Sequence, residues 1–235
     1  MTFSTFKNGL IIAAAALPLL ASAEMNTLTE QEQKDGWKLL FDGKTFNGWR
    51  NYNAKGVKDG WKIEDGTMKH TKGGKDLMTE EQYENFELKL EWKIAEGANS
   101  GIFLGVREIK DKISRSGIEM QIIDNERHPD AKNEKNVSGA CYALYKPPVG
   151  ADKKAGEWNQ VRILKVGSHY QFFQNGVKTA DFDLESTEFI NLIAEAKFKD
   201  WPHFARYRKG HIGLQDHGDV VYFRNIKLKE ITHKK

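Results

Sequence analysis

Phe86-Glu-Leu-Lys-Leu-Glu-Trp-Lys-Ile94 alternates apolar and charged residues without a fault. Side chains along an extended chain point to opposite sides at each step. Phe86, Leu88, Leu90, Trp92 and Ile94 therefore face a core, while the charges face water. The same order wound into a helix would scatter the apolar residues around the axis, so this is a half-buried strand. Val161-Arg-Ile163 and Tyr170-Gln-Phe172 read as further strands. The second enters a hairpin through Asn175-Gly176, a pair that tolerates the positive φ of a tight turn, with the return strand from Val177 to Phe182. Val221-Tyr-Phe223 and Ile226-Lys-Leu228 are apolar in opposite phase, which predicts a β-bulge around Arg224-Asn225. Trp37, Phe41 and Trp49 suggest an N-terminal strand packed into the same core. A single helix is expected, with Phe189, Leu192, Ile193 and Ala196 on one face, Ser186 or Thr187 as cap, and Pro202 beyond its end. Many short strands with Gly, Asp and Asn turns and one helical insertion define an all-β, antiparallel β-sandwich as the expected class.

Lys7, the apolar run Leu10 to Leu20 and Ala21-Ser22-Ala23 read as a secretory signal peptide cleaved after Ala23, leaving residues 24–235 as one domain in the periplasm or outside the cell. A retained membrane anchor is the weaker alternative, because the run is short for a bilayer span. No Cys follows the run closely, which disfavours a lipid anchor. Of 36 Lys and Arg residues only Lys7 lies in the leader, leaving 35 against 33 Asp and Glu. That near-neutral, dispersed balance gives no electrostatic footprint for nucleic acid. Cys141 is the single cysteine of the chain, so no internal disulfide can form and stability must come from the core. It lies in the apolar-aromatic stretch Ala140 to Tyr145 and is expected to be a small buried residue rather than a nucleophile.

Three strand-like segments spend their polar positions on chemistry. Gly117 to Asp124 places Ile118, Met120 and Ile122 on one face, and Glu119 and Gln121 on the other. Asn99 to Arg107 places Ile102, Leu104 and Val106 together, opposite Asn99 and Arg107. Gly210 to Gly218 sets Ile212 and Leu214 against His211, Gln215 and His217. Were the three in one sheet, two imidazoles, a carboxylate, amides and a guanidinium would share a surface. A long polar loop beginning at Asp124 and running toward Pro148 follows the Glu119 strand directly, and loops of that length often rim a site.

Several ordered motifs identify the chain further. Leu40-Phe-Asp-Gly-Lys-Thr-Phe-Asn-Gly-Trp49, Asn99-Ser-Gly-Ile102, Glu119-Met-Gln121, Ser138-Gly-Ala-Cys-Tyr142 and Gly156-Glu-Trp-Asn159 occur in sequence. Lys197-Phe-Lys-Asp-Trp-Pro202, Gly210 through Gly218 and Val221-Tyr-Phe-Arg-Asn-Ile226 complete the set. Over the whole mature chain this resembles the 3-keto-disaccharide hydrolase family, also described as 3-keto-glucoside lyase/hydratase domains. The resemblance implies a concanavalin-like jelly roll and a small sugar substrate oxidised at C3 by a separate sugar 3-dehydrogenase. It also implies removal of the C2 proton, which the neighbouring ketone acidifies, and departure of the C1 substituent by elimination or net hydrolysis.

Such chemistry needs a base near C2, an electrophile at the C3 oxygen and an acid at the leaving group. His217 and Glu119 are the candidates for the base, because imidazole titrates near neutrality and burial can raise a carboxylate toward it. Gln121, Gln215, Asn99, Arg107, Asp124 and Trp201 are the candidates for binding sugar. A divalent metal held by some of His211, His217, Glu119 and Asp124 would be the stronger electrophile, although their spacing matches no established metal signature. No Gly-rich dinucleotide fingerprint is present, so no nucleotide cofactor is expected. The bland readings compete directly: an ordinary outward face for Glu119 and Gln121, a solvated His211, a surface Arg107, and a core role for Trp201 or Phe204. The rival function is a non-catalytic carbohydrate-binding module.

Overall fold

The computed structural model describes residues 24–232; the expected leader, 1–23, lies outside the described residues. The strands in chain order are β1 Trp37–Leu39, β2 Trp49–Asn51, β3 Trp61–Glu64, β4 Thr67–His70, β5 Leu77–Thr79, β6 Phe86–Ile94 and β7 Asn99–Val106. They continue with β8 Ile118–Ile123, β9 Asn159–Val166, β10 His169–Gln174, β11 Val177–Asp183, β12 His211–Leu214 and β13 Val221–Glu230. A short helix α1, Glu30–Lys34, precedes them, and α2, Thr187–Glu195, follows β11. Every strand pairing is antiparallel.

One sheet runs β11-β10-β9-β6-β13-β4-β3, with β1 also paired to β13; the other runs β2-β5-β12-β7-β8. The two pack face to face through a single apolar layer. From the first sheet come Leu88, Leu90, Trp92, Ile163, Phe172 and Phe223, and from the second Ile102, Leu104, Ile118, Met120, Ile122, Ile212 and Leu214. The expected antiparallel sandwich is thus the observed fold. The Asn175-Gly176 turn has φ of 51° and 82°, and the pairing of β13 with β6 slips after Arg224, where Asn225 takes φ 54°. Asn26 clips that bulge by exchanging backbone-to-amide hydrogen bonds with Asn225. Ser186 caps α2 by accepting from Phe189 N–H. The five-residue α1 has too little apolar periodicity to announce itself; its start is a capping box between Thr29 and Glu32. Among the described residues no helix is long and apolar enough to cross a membrane.

One core-facing position of β9 carries a charge. Lys165 is 1% exposed, and its Nζ donates to the carbonyls of Glu84 (2.5 Å), Arg208 (2.7 Å) and Gly167 (3.1 Å). Burial pushes its ammonium down to about 8. The lysine ties three connections to the end of the sandwich. Lys165→Met should keep the volume and orphan the carbonyls, costing about 3 kcal/mol. Thermal unfolding should then move down by roughly 10 °C, and an unchanged midpoint would show that water replaces the ammonium without loss.

Candidate active site

The outward face of the five-stranded sheet builds the site. Because Ile118, Met120 and Ile122 take the core side of β8, Glu119 and Gln121 must project outward. β7 lies beside β8 with Phe103 opposite Glu119 and Gly101 opposite Gln121. Gly101 is required here by space rather than by backbone angle. A β-carbon at 101 would fall 3.0 Å from Glu119 Cδ and nearer still to its Oε1.

Around these side chains lies a cavity of about 540 Å³, within the usual range of roughly 300–1,000 Å³ for small-molecule sites. Its walls come from five connections. The segment after β7 gives Lys112 and Arg115, and the loop after β8 gives Asp130 and Tyr142. The segment after α2 gives Lys197, Phe198, Trp201 and Phe204; the turn after β12 gives Gln215, Asp216 and His217; and Asp76 enters just before β5. The long polar loop therefore does rim the site. It also closes the free edge of β8, where Gln121 N–H donates to Ala140 O, Gly139 N–H to Gln121 O and Tyr142 N–H to Glu119 O.

Two carboxyls in this cavity are held in unusual states. Glu119 lines the cavity floor amid packed protein, and burial pushes its carboxyl up to about 8 against the pull of Lys197, with Asp76 adding to the rise. Burial also raises Asp76, to about 6, despite a 3.0 Å hydrogen bond from Asp216 N–H to its Oδ1. Lys197 Nζ sits 4.2 Å from the Tyr142 ring centroid, 5.5 Å from Phe198 and 6.0 Å from Trp201, so aromatic faces hold the ammonium. Asn99 Oδ1 and Gln215 Oε1 are buried on the cavity wall and find no partner among the described residues. Buried acceptors left bare cost free energy, so this wall suits a ligand rich in hydroxyls.

Of the sequence candidates, Glu119, Gln121, Asn99, Gln215, His217 and Trp201 converge on the cavity. Arg107, Asp124 and His211 do not. Gly105 takes φ 68°, and the β7–β12 pairing slips there, so Val106 leaves the Ile102–Leu104 face and packs on the outer side with Phe103. The slip carries Arg107 out of phase, and its guanidinium lies over the Tyr207 ring instead. Asp124 is consumed by structure: against the cost of burial, the N–H groups of Gly97 and Glu126 and the Arg127 guanidinium hold it below the usual carboxylate range. His211 does share the outer face, but Tyr52, Met78, Phe103, Val106 and Ile113 form a second small core over that end of it. Its Nδ1 lies 2.8 Å from Thr79 O, and its Nε2 lies 3.0 Å from the Gln82 amide. Of the expected metal ligands His211, His217, Glu119 and Asp124, His217 and Glu119 share the cavity, but no three of the four bring ligand atoms together. A different trio does: one ligand-type atom each from His128, His217 and Asp219, all within 4.8 Å of one another.

Trp201 lines the cavity, but Arg115 covers one of its faces at 3.9 Å, so at most the other face and the edges meet a ligand. Phe204 is core, stacked on Phe198 at 4.0 Å. Cys141 is buried as expected, and burial pushes its thiol up. The alternation of short segments gave no role to Asp76, which precedes a three-residue strand. Lys197 stood inside the quoted Lys197–Pro202 motif, but nothing in that motif said which way it points.

The sheet order and this cavity define a galectin-like β-sandwich with a ligand cavity on one face. A Bacillus subtilis protein described as having a galectin-like fold superposes with a TM-score of 0.51 at 10% identity, covering 88% of this chain and 95% of that one, a likeness of fold alone. Residues 36–229 match the model of the 3-keto-alpha-glucoside-1,2-lyase-like domain, and the chain belongs to that family. A Bacteroides thetaiotaomicron protein named 3-keto-disaccharide hydrolase is 36% identical over 250 residues, spanning 93% of this chain and 86% of its own. A solved structure of a candidate glycosyl hydrolase from Parabacteroides distasonis is 32% identical with a TM-score of 0.84, covering 89% of this chain and all of that one.

Proposed function

We propose that this chain is an exported enzyme that cleaves 3-keto-glycosides. The observation that carries the reading is the pair of raised carboxyls in one cavity, Asp76 at about 6 and Glu119 at about 8. At neutral pH the first is largely ionised and the second largely protonated, which are the states a base and an acid require. Glu119 thus moves from candidate base to acid, and Asp76 takes the base role. His217, exposed at the rim, is left to contact substrate.

The steps balance without a redox partner. Asp76 removes the C2 proton, and the electron pair moves onto C2–C3 and the C3 oxygen, where Lys197 supplies a positive charge. Collapse of the enolate expels the C1 oxygen, which takes its proton from Glu119. For net hydrolysis, water adds back: Glu119 takes a proton from it, hydroxide joins C1, and Asp76, its proton by then exchanged with water, protonates C2. Gln121, Asn99 and Gln215 are placed to bind sugar hydroxyls. The substrate must arrive from a separate dehydrogenase acting at C3, because only the ketone acidifies C2.

Purified protein should release the aglycone from a nitrophenyl 3-keto-glucoside and leave the unoxidised parent intact. Equal cleavage of both would refute the keto requirement, and glycan binding with no release above buffer would indicate a binding module. Gly101→Ala should push the Glu119 carboxyl aside. A displacement of about an ångström at a reacting group costs on the order of 100-fold in rate, so turnover should fall by that amount while folding is retained. Unchanged turnover would mean that Glu119 need not stand where it does.

A further inference from the structure

Beside the cavity that His217 lines, His128, on the loop after β8, meets His217 and Asp219, on the turn between β12 and β13. The two imidazoles stand edge to face with centroids 5.9 Å apart. His217 Nδ1 lies 3.5 Å from Asp219 Oδ2, too long for a good hydrogen bond. It is, however, close to the separation of about 3.4 Å that two ligands take when each binds a tetrahedral ion at about 2.1 Å. The three ligand atoms all lie within 4.8 Å of one another, and rotation of the imidazoles can bring them to that spacing.

Asp219 is the fixed member. Asn99 N–H donates to its Oδ2 at 3.0 Å, and its carbonyl lies 2.9 Å from Nδ1 of His70, a fully buried ring packed on Trp61. Such outer partners orient a metal-binding carboxylate. Asn99, 3% exposed, supplies an independent sign of a ligand, because its Oδ1 has no partner and it belongs to the same cavity wall. His128 Nδ1 now accepts Asp130 N–H at 3.2 Å. Since a neutral imidazole has one lone pair, binding an ion through Nε2 would release that contact, on a surface turn where water replaces it.

We propose that His128, His217 and Asp219 form a binding site for a first-row divalent cation, with Asn99 as an adjoining oxygen donor. Two imidazoles and one carboxylate suit such an ion and leave coordination positions open toward the cavity. Resting on the ketoglycoside reading, the ion's role is to hold substrate oxygens at the mouth, while Asp76 and Glu119 move the protons.

The test is titration of chelator-stripped full-length protein with Co2+ alone, followed by visible absorption and calorimetry. Wild type should bind one equivalent with the bands of a nitrogen- and oxygen-ligated ion. His128→Ala and Asp219→Asn should each weaken binding by more than about tenfold, whereas His211→Ala should leave it unchanged. Absence of a stoichiometric site, or full binding in both of the first two variants, would overturn the proposal. Cleavage of 3-keto-glucoside is measured separately. Stoichiometric Co2+ binding without cleavage leaves the cation site standing and removes the substrate assignment, and cleavage by protein that binds no Co2+ does the reverse.

Discussion

Glu119→Gln should lower kcat on a 3-keto-glucoside by about two to four orders of magnitude, the usual contribution of a positioned proton donor. The amide keeps the size and polarity of the group and removes only its proton. Folding should survive, and the variant should gain stability in alkaline solution. In the wild type the carboxyl rises from its ordinary 4.5 to about 8 on folding. The folded state then binds more protons than the unfolded chain between those values, so stability drains away as pH climbs through that window. The glutamine has nothing to titrate and escapes the loss. A denaturation series from pH 5 to 9 should show the two proteins diverging as pH rises. A wild-type rate in the variant would remove Glu119 from the chemistry. A parallel pH dependence of stability would instead show that its carboxyl ionises normally. The cause of the raised value is local: β8 presents the side chain to a pocket walled by protein on most sides, and Lys197 offsets only part of the burial cost.

Asp76→Asn should be equally damaging, and its signature lies in the pH profile. With Asp76 at about 6 as base and Glu119 at about 8 as acid, kcat/KM for the wild type should form a bell. Activity falls on the acid side as Asp76 takes up a proton, and on the alkaline side as Glu119 loses one. Because the two carboxyls feel one another, the limbs belong to the pair, and removing one should also shift the other. In Asp76→Asn the acid limb should vanish from the residual activity, while the alkaline limb moves down, since the neighbouring negative charge that helps raise Glu119 is gone. A profile in Asp76→Asn that keeps its acid limb would assign that limb to another group.

The contrast between what was legible and what was not follows from where information sits in a β protein. Alternation in β6 and β8 depends only on local order, so Phe86 to Ile94 and the Glu119/Gln121 face could be read directly. Turn chemistry is equally local: Asn175-Gly176 announced its hairpin. Asp65-Gly66, with φ of 49° and 70° between β3 and β4, carries the same signal. A bulge is different. Gly105 breaks the phase of β7 through its pairing with β12, a partner more than a hundred residues away, and so Arg107 was placed on the wrong side. Asp124 and His211 are ligand-type residues whose atoms are spent on backbone groups and neighbouring side chains, which only the folded chain reveals. Asp76 lay hidden for the opposite reason. A three-residue strand has no period to detect, and its carboxyl acquires a raised value only when the turn after β12 and the floor of β8 close around it.

The central claim is that bond cleavage begins at C2, and a 3-keto-glucoside deuterated at that carbon tests it in one reaction. Aglycone release and the fate of the label are followed together. We expect slower release than from the protiated sugar, loss of deuterium to water, or both, because the C–D bond must break before the C1 oxygen can leave. Release at the protium rate with the deuterium fully retained at C2 would contradict the claim and point to direct displacement at C1.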